Sequence, residues 1–404
     1  MKMEKKYFKF NIFTLVFLLV LFAGVSFVSA SLKSVKFASG ADEGYYLKYA
    51  TYLGEYGLGG LKEIFQNYLA NQNDWLFPNP LRIGFIIISG FWLKLFGYSF
   101  INLAYLSLMF YVLTLLTGFY YCRKFFGQIS GLLFTLLLAF SPLHLAMARR
   151  ALVESAVAFF SLFLFWSFWD YLQDKSKKKL ILFIFIFAFS ILVKETFILF
   201  SLFFIIYLAY KNYILKEKVY LKEYCFVILA PLFISGLIYL SLGCAGYLLS
   251  TVKIILNSPA NNLYALNFGS GPWFRYLIDY MLLSPFVLIL AIGFIAANFF
   301  ETKNNRIAVY FSLVIILGLF FFNFFTKNVR YVIFLDAPIR LLAVLALGKI
   351  TQRAFPLRAN VWIFAIVICL SFFDCLNFQR FFIFYNIYDP VSFLLLQASH
   401  IIPF

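Results

Sequence analysis

The sequence predicts an all-α integral membrane protein with about eleven transmembrane helices and a long first outer loop carrying surface helices. Three observations predict it. Of 404 residues, 64% are hydrophobic and only 13% charged, with a mean hydropathy of +0.90, whereas a soluble domain carries about a quarter charged residues. Apolar runs near the length that crosses a hydrocarbon core of about 30 Å recur along the whole chain. Lys and Arg outnumber Asp and Glu by 34 to 17, and the excess collects in short loops between those runs, as in the cytoplasmic loops of membrane proteins. A charge of +17 on a soluble chain would point to nucleic acid; here it is topological, and membrane lipids rather than nucleic acid are the expected surroundings. The composition excludes a soluble enzyme, a disordered chain and a disulfide-stapled module.

The first span is expected over residues 11–30, behind a basic start containing Lys2, Lys5, Lys6 and Lys9. Val28-Ser29-Ala30 resembles a signal-peptidase site, but the run is long for a signal sequence and many spans follow, which favours a retained anchor. The basic start then stays in the cytoplasm and Ser31 emerges on the outer face. Residues 31–98 form the first outer loop. Within it, 81–96 is apolar but short and interrupted by Arg82 and Lys94, so it either crosses or lies along the surface as an amphipathic helix.

The later loops decide between these. With 81–96 on the surface, spans follow at 101–121, 129–145, 157–171, 180–193, 197–210, 226–243, 277–300, 307–325, 331–347 and 361–376. Arg123 and Lys124, then Lys175, Lys177, Lys178 and Lys179, then Lys211, Lys216, Lys218 and Lys222, then Lys303 and Arg306, and finally Lys349, Arg353 and Arg358 all fall on the cytoplasmic side. A crossing at 81–96 would invert every one of these loops, so the surface helix is preferred. The chain divides into a first transmembrane module, 1–245, and a C-terminal part, 246–404, with an outer loop over 244–276 and a tail on the outer face.

Charges at membrane level are costly and tend to mark function. Sorted by this topology, the unusual ones gather on the outer side: Asp42 and Glu43 in the first loop; Arg149, Arg150 and Glu154 where the third span emerges; Lys194 and Glu195 between the fifth and sixth; Lys327 and Arg330 between the ninth and tenth, with Asp336 and Arg340 following inside the tenth. A carboxylate there is suited to take a proton from an attacking hydroxyl, and Arg and Lys to hold a departing phosphate. That set describes transfer of a group from a lipid phosphate. Neither a dinucleotide fingerprint nor a P-loop is present, and a donor delivered by the membrane needs none. No cofactor is evident. The carboxylates leave room for a divalent cation such as Mg²⁺ or Mn²⁺, whereas five scattered cysteines and two histidines fit neither a disulfide framework nor a zinc site.

Each feature has a structural alternative. Asp42 and Glu43 suit the N-terminus of a surface helix through Tyr45–Tyr52. Arg150 with Glu154, and Asp336 with Arg340, are spaced i,i+4 and would neutralise each other on one helix. Lys194-Glu195 reads as a kink, Arg330 beside Tyr331 as an interfacial anchor, and His144 as a packed side chain.

The order of elements resembles the GT-C glycosyltransferases, specifically the family 39-like group of protein O-mannosyltransferases and lipid A aminoarabinose transferases. The residues that carry the likeness are Asp42-Glu43 with Tyr45-Tyr46, Pro78-Asn79-Pro80-Leu81, Leu95-Phe96-Gly97-Tyr98-Ser99, Ser141-Pro142 with Arg149, Arg150 and Glu154, Leu192-Val193-Lys194-Glu195, and Arg330-Tyr331 followed by Pro338. The resemblance implies a GT-C fold and an inverting transfer of a sugar from a polyprenyl-phosphate donor to a lipid, glycan or protein acceptor. It implies Asp42 as the base or acceptor-orienting carboxylate, with Glu43 and Glu154 supporting, and Arg330, with Lys327, Lys194 and Arg150, on the lipid phosphate. Glu154 stands where relatives commonly have Asp. The competing expectation is a flippase or transporter of lipid-linked sugars, which would place its charges near the midplane among broken helices and internal repeats. No repeat is evident. A non-catalytic envelope scaffold is the third reading.

Overall fold

Every segment expected to span folds as helix in the computed structural model, which describes residues 12–257, 266, 269–298, 306–387 and 389–398; no strand occurs among them. The basic start and Lys303 lie outside the described residues, as does part of the outer loop over 244–276 and the end of the tail. Helix α1 (Ile12–Leu32) leads into the first loop, which carries α2 (Asp42–Tyr56), α3 (Gly60–Ala70) and α4 (Ile83–Phe96). Fourteen residues make α4 about 21 Å long, too short to cross a 30 Å core. It packs instead on α2.

The bundle continues with α5 (Phe100–Phe126), α6 (Gln128–Ala139), α7 (Pro142–Ala148), α8 (Glu154–Asp174), α9 (Lys177–Val193), α10 (Phe200–Tyr213) and α11 (Leu221–Ser241). After α12 (Leu248–Asn257) come α13 (Arg275–Leu283), α14 (Pro285–Asn298), α15 (Arg306–Phe322), α16 (Asp336–Ala354), α17 (Ala359–Phe378) and α18 (Pro390–Ala398). Among the described residues, seven helices are long and apolar enough to cross a membrane, and eight if α6 and α7, bent by 62°, count as one span. The remaining three of the eleven expected spans are shorter. Residues 180–193 lie in a 17-residue helix, 307–325 in another of 17, and 277–300 is split into 9 and 14 residues. Pro285 causes that split: it has no N–H to continue α13 and starts a new helix at its first position.

Three of the cations expected inside, Lys124, Lys175 and Lys179, gather at the end of α8 away from Glu154. Lys124 and Lys179 meet Asp170 at 2.7 and 2.9 Å, and Lys175 meets Glu223 at 2.8 Å. Asp170 lies sixteen residues, roughly 24 Å, along α8 from Glu154, at the far end of the bundle from the expected site.

Between the two ends one buried cation ties the broken helices together. Arg340, fully buried on α16, donates to Asp336 Oδ2 at 2.7 Å, to Asp374 Oδ2 on α17 at 2.6 Å, to the Leu137 carbonyl at 2.9 Å and to Ser284 Oγ at 2.9 Å. Ser141, the N-cap of α7, donates to Asp336 at 2.7 Å, and buried His144 lies 3.5 Å from it. Leu137 and Ser141 flank the α6–α7 break, Ser284 is the α13–α14 break, and Asp336 opens α16 after a 3₁₀ stretch, Val329–Leu335. Backbone groups released at such breaks need partners inside a membrane, and Arg340 supplies five donors. The expected i,i+4 pair of Asp336 and Arg340 forms, but as part of this larger hub.

Candidate functional site

The start of the first loop is shaped by a close approach at Gly44. Gly44 sits in the first turn of α2, where a Cβ would lie 1.8 Å from the Ser39 carbonyl oxygen. Without that Cβ, residues 38–41 fold back over the helix start, and the Ala38 amide donates to Glu43 Oε2 at 3.1 Å. Gly44→Ala is expected to displace this turn at a cost of about 1–3 kcal/mol. The measurement is tryptic cleavage at exposed Lys33 and Lys36, which should speed up; an unchanged digestion pattern would refute it.

Asp42 and Glu43 both occupy the favourable first turn of α2 and then diverge. Glu43 is buried and saturated: Arg150 Nε lies 2.6 Å from its Oε1, Arg150 Nη2 donates to its Oε2 at 2.7 Å, and the Ala151 amide to Oε1 at 3.1 Å. This is a clamp between the first loop and the segment before α8. Its lone pairs are engaged, so a catalytic proton acceptor at Glu43, or a phosphate ligand at Arg150, would first have to break it. The Arg150–Glu154 pair expected from i,i+4 spacing does not form, because α8 begins only at Glu154.

Asp42 instead faces the open rim, its side chain 29% exposed, and accepts from Arg330 Nη2 at 2.6 Å. Arg330 also donates to the Tyr331 hydroxyl at 3.3 Å. Lys194 Nζ lies 4.9 Å from the centre of the Tyr331 ring and 3.6 Å from Glu154 Oε1. Arg330 interacts electrostatically with both Asp42 and Glu154. Asp42, Glu154, Lys194 and Arg330, drawn from four separate stretches, therefore meet around Tyr331. Two buried atoms in this cluster, Glu154 Oε2 and Arg330 Nε, have no hydrogen-bond partner among the described residues, and a buried polar group left so calls for one.

The break after α9 explains how Lys194 arrives. Gly84 lets α4 pack so closely on Leu192 that a Cβ there would lie 2.9 Å from its backbone. Lys194 then turns to Glu154, while Glu195 turns the other way and is gripped by Arg82 through two hydrogen bonds of 3.0 and 2.9 Å, with Asn79 adding one at 3.0 Å. Arg82 also donates to Tyr46. Burial pushes the Tyr46 phenol well above its ordinary value, so it stays a neutral acceptor. Arg82, Asn79, Tyr46 and Tyr331 were not singled out as site residues from the sequence; a basic residue inside the apolar 81–96 run was the available signal. Nearby, burial together with the Asp74 carboxylate pushes Tyr45 up to about 12, and their 2.9 Å bond fastens α2 to the turn Gln72–Leu76.

Lys327 departs from expectation. Its ammonium donates to the Gly271 carbonyl and its amide to Gly269 at 2.7 Å; burial, then the charge of Arg275, pushes it below its ordinary value. It anchors the loop before Arg330 to the segment before α13. Asp42, Glu43 and Glu154 each carry their own cation, and among the described residues no three His, Cys, Asp or Glu side chains converge.

Residues 80–239 match the family model described as dolichyl-phosphate-mannose-protein mannosyltransferase. No curated protein sequence matches the chain. Among solved structures, the Archaeoglobus fulgidus oligosaccharyltransferase in complex with Zn and sulfate superposes with a TM-score of 0.59 at 13% identity, over 89% of this chain and 52% of that one. Archaeal oligosaccharyltransferase AglB from the same organism, bound to an inhibitory peptide and a dolichol-phosphate, gives 0.57 at 12% identity over 95% and 55%. ArnT from Cupriavidus metallidurans gives 0.50 at 14% identity over 96% and 74%. The chain spans about half the length of the oligosaccharyltransferases it matches. Over nearly its whole length the chain shares the helical arrangement of these structures, with the mannosyltransferase match inside it.

Proposed function

We propose that this protein is a membrane glycosyltransferase that moves a sugar from a polyprenyl-phosphate donor to a lipid, glycan or protein acceptor on the outer face of the cell membrane. The observation that carries the reading is the Asp42–Arg330 pair on the open rim, beside the unpartnered buried atoms Glu154 Oε2 and Arg330 Nε. The dolichol-phosphate bound to the archaeal oligosaccharyltransferase supports the donor class. The lysine-rich loops at the opposite end support the orientation, since such loops stay in the cytoplasm.

In this reaction the acceptor oxygen or nitrogen forms a bond to the anomeric carbon while the sugar–phosphate C–O bond breaks. The electron pair stays on the phosphate and the acceptor proton passes to Asp42. A single displacement of this kind inverts the anomeric configuration. Arg330, released from Asp42 by the acceptor, holds the phosphate as its charge grows, with Lys194 alongside; such charge-assisted contacts are worth most in a water-poor site. Glu154 keeps Lys194 in place and offers its free oxygen to the sugar.

The buried charges at the Arg340 hub favour a second reading, transport of the lipid-linked sugar, because broken helices with internal charges build transporter sites. A radiolabelled polyprenyl-phosphate sugar in sealed vesicles containing the protein separates the two. Transferase activity releases unlabelled polyprenyl phosphate and moves label to the acceptor. Recovery of the donor intact on the opposite leaflet would overturn the proposal.

A further inference from the structure

At the end of the bundle occupied by the lysine-rich loops, a cavity of about 200 Å³ opens between α8, α10 and the start of α15. Its walls include Trp169, Gln173, Lys211, Glu217 and Arg306. Glu217 Oε2 lies 3.0 Å from Lys211 Nζ, and its other oxygen accepts from Arg306. Among the described lining residues, two cations and one carboxylate leave one positive charge in excess. Lys211 is only 8% exposed, whereas the Arg306 side chain is 54% exposed, so the group reaches from the buried interior of the cavity to its mouth. A second observation is independent of the ion pairs: the indole N–H of Trp169, a residue 6% exposed, is buried without a hydrogen-bond partner among the described residues. A buried donor left unpaired in a cavity of net positive charge is suited to an anion.

We propose that this cavity is a binding site for a singly charged phosphodiester, of the kind carried by phospholipid headgroups. One negative charge neutralises the excess of the Lys211–Glu217–Arg306 group. The Trp169 N–H supplies a neutral donor to a phosphate oxygen, and Tyr207 and Gln173, whose amide already donates to the Trp169 carbonyl at 3.3 Å, also line the cavity. The surrounding Lys175, Lys177, Lys178, Lys216 and Lys218 draw anionic lipid to this end, since basic residues near a membrane surface attract it. Glu217 is the internal competitor. It follows Lys216, which holds the left-handed φ of 57° that side chains rarely adopt, so the short turn presenting the carboxylate is held by its contacts and not by its own preference. The site lies at the far end of the bundle from Asp42 and Arg330 and stands whether or not sugar transfer is the activity.

The test uses the purified full chain in detergent, titrated with phosphatidylglycerol and followed by native mass spectrometry, with parallel arms containing glycerophosphoglycerol and inorganic phosphate. One retained phosphatidylglycerol is expected on the unaltered protein. Trp169→Phe keeps the ring and removes only the donor, and should weaken retention about tenfold, as loss of a hydrogen bond to a charged group does. Lys211→Gln should weaken it at least as much, whereas Glu217→Gln, by removing the competing carboxylate, should strengthen it. Opposite signs for Lys211 and Glu217 are not what a purely structural salt bridge gives, because either loss would then act alike. Saturation by glycerophosphoglycerol at similar concentration would support the site with a soluble diester as its source. Equal lipid adducts across all variants, or weaker retention in Glu217→Gln, would overturn it.

Discussion

Asp42→Asn is expected to lower sugar transfer by roughly 10²–10⁴-fold, the contribution typical of a positioned general base, while leaving the amount of protein in the membrane unchanged. Asn preserves the shape and still accepts a hydrogen bond from Arg330, but cannot take up the acceptor proton. The side chain is 29% exposed in its pair with Arg330, so the substitution buries no new charge and opens no cavity. Its partner gives a contrasting signature. Arg330→Lys keeps the charge but loses the planar fork that can reach Asp42 and a phosphate together, and should raise the KM for the lipid donor more than it lowers kcat. Both are read from transfer of label in vesicles, normalised to protein. Wild-type turnover in Asp42→Asn would remove this carboxylate from the chemistry.

Arg340→Met is expected to prevent stable folding. Arg340 is fully buried, and its loss leaves Asp336 and Asp374 facing each other's charge without a cation. Breaking a buried pair in this way costs about 3–5 kcal/mol, a large share of the stability of any domain. The readout is thermal aggregation in detergent. A companion variant, with Arg340→Met, Asp336→Leu and Asp374→Leu together, separates structure from function, because replacing a whole buried ion cluster by packed apolar residues is often neutral or stabilising. Recovery of both stability and sugar transfer in the triple variant makes the hub structural. A folded but inactive triple variant would show that the buried carboxylates serve the activity, as a transport pathway requires.

Much of the architecture was written in local properties of the chain. Whether a run of about twenty residues enters a membrane depends on its own transfer free energy, so the apolar stretches located the helices, and the clustering of Lys and Arg separated one end from the other. The short, interrupted run at 81–96 was assigned to the surface by loop charge alone, and it folds as the 14-residue α4, packed on α2. The breaks were less legible. Ser284-Pro285 divides an expected span because proline cannot extend the helix before it, yet hydropathy across that point is continuous.

The pairing of charges belonged to tertiary structure. Spacing suggested that Arg150 and Glu154 neutralise each other, but that inference assumes an unbroken helix, and α8 starts at Glu154. Arg150 crosses instead to Glu43, and Glu154 to Lys194. Asp42 meets Arg330 across 288 residues, a proximity no local pattern encodes. The sequence by itself determined what kind of protein this is, and that carboxylates and cations gather at one end, because the cost of placing a side chain in lipid or water is paid residue by residue. Only the packed bundle decided which carboxylate stays open at the rim and which is consumed in a clamp, because that depends on where helices begin, break and touch.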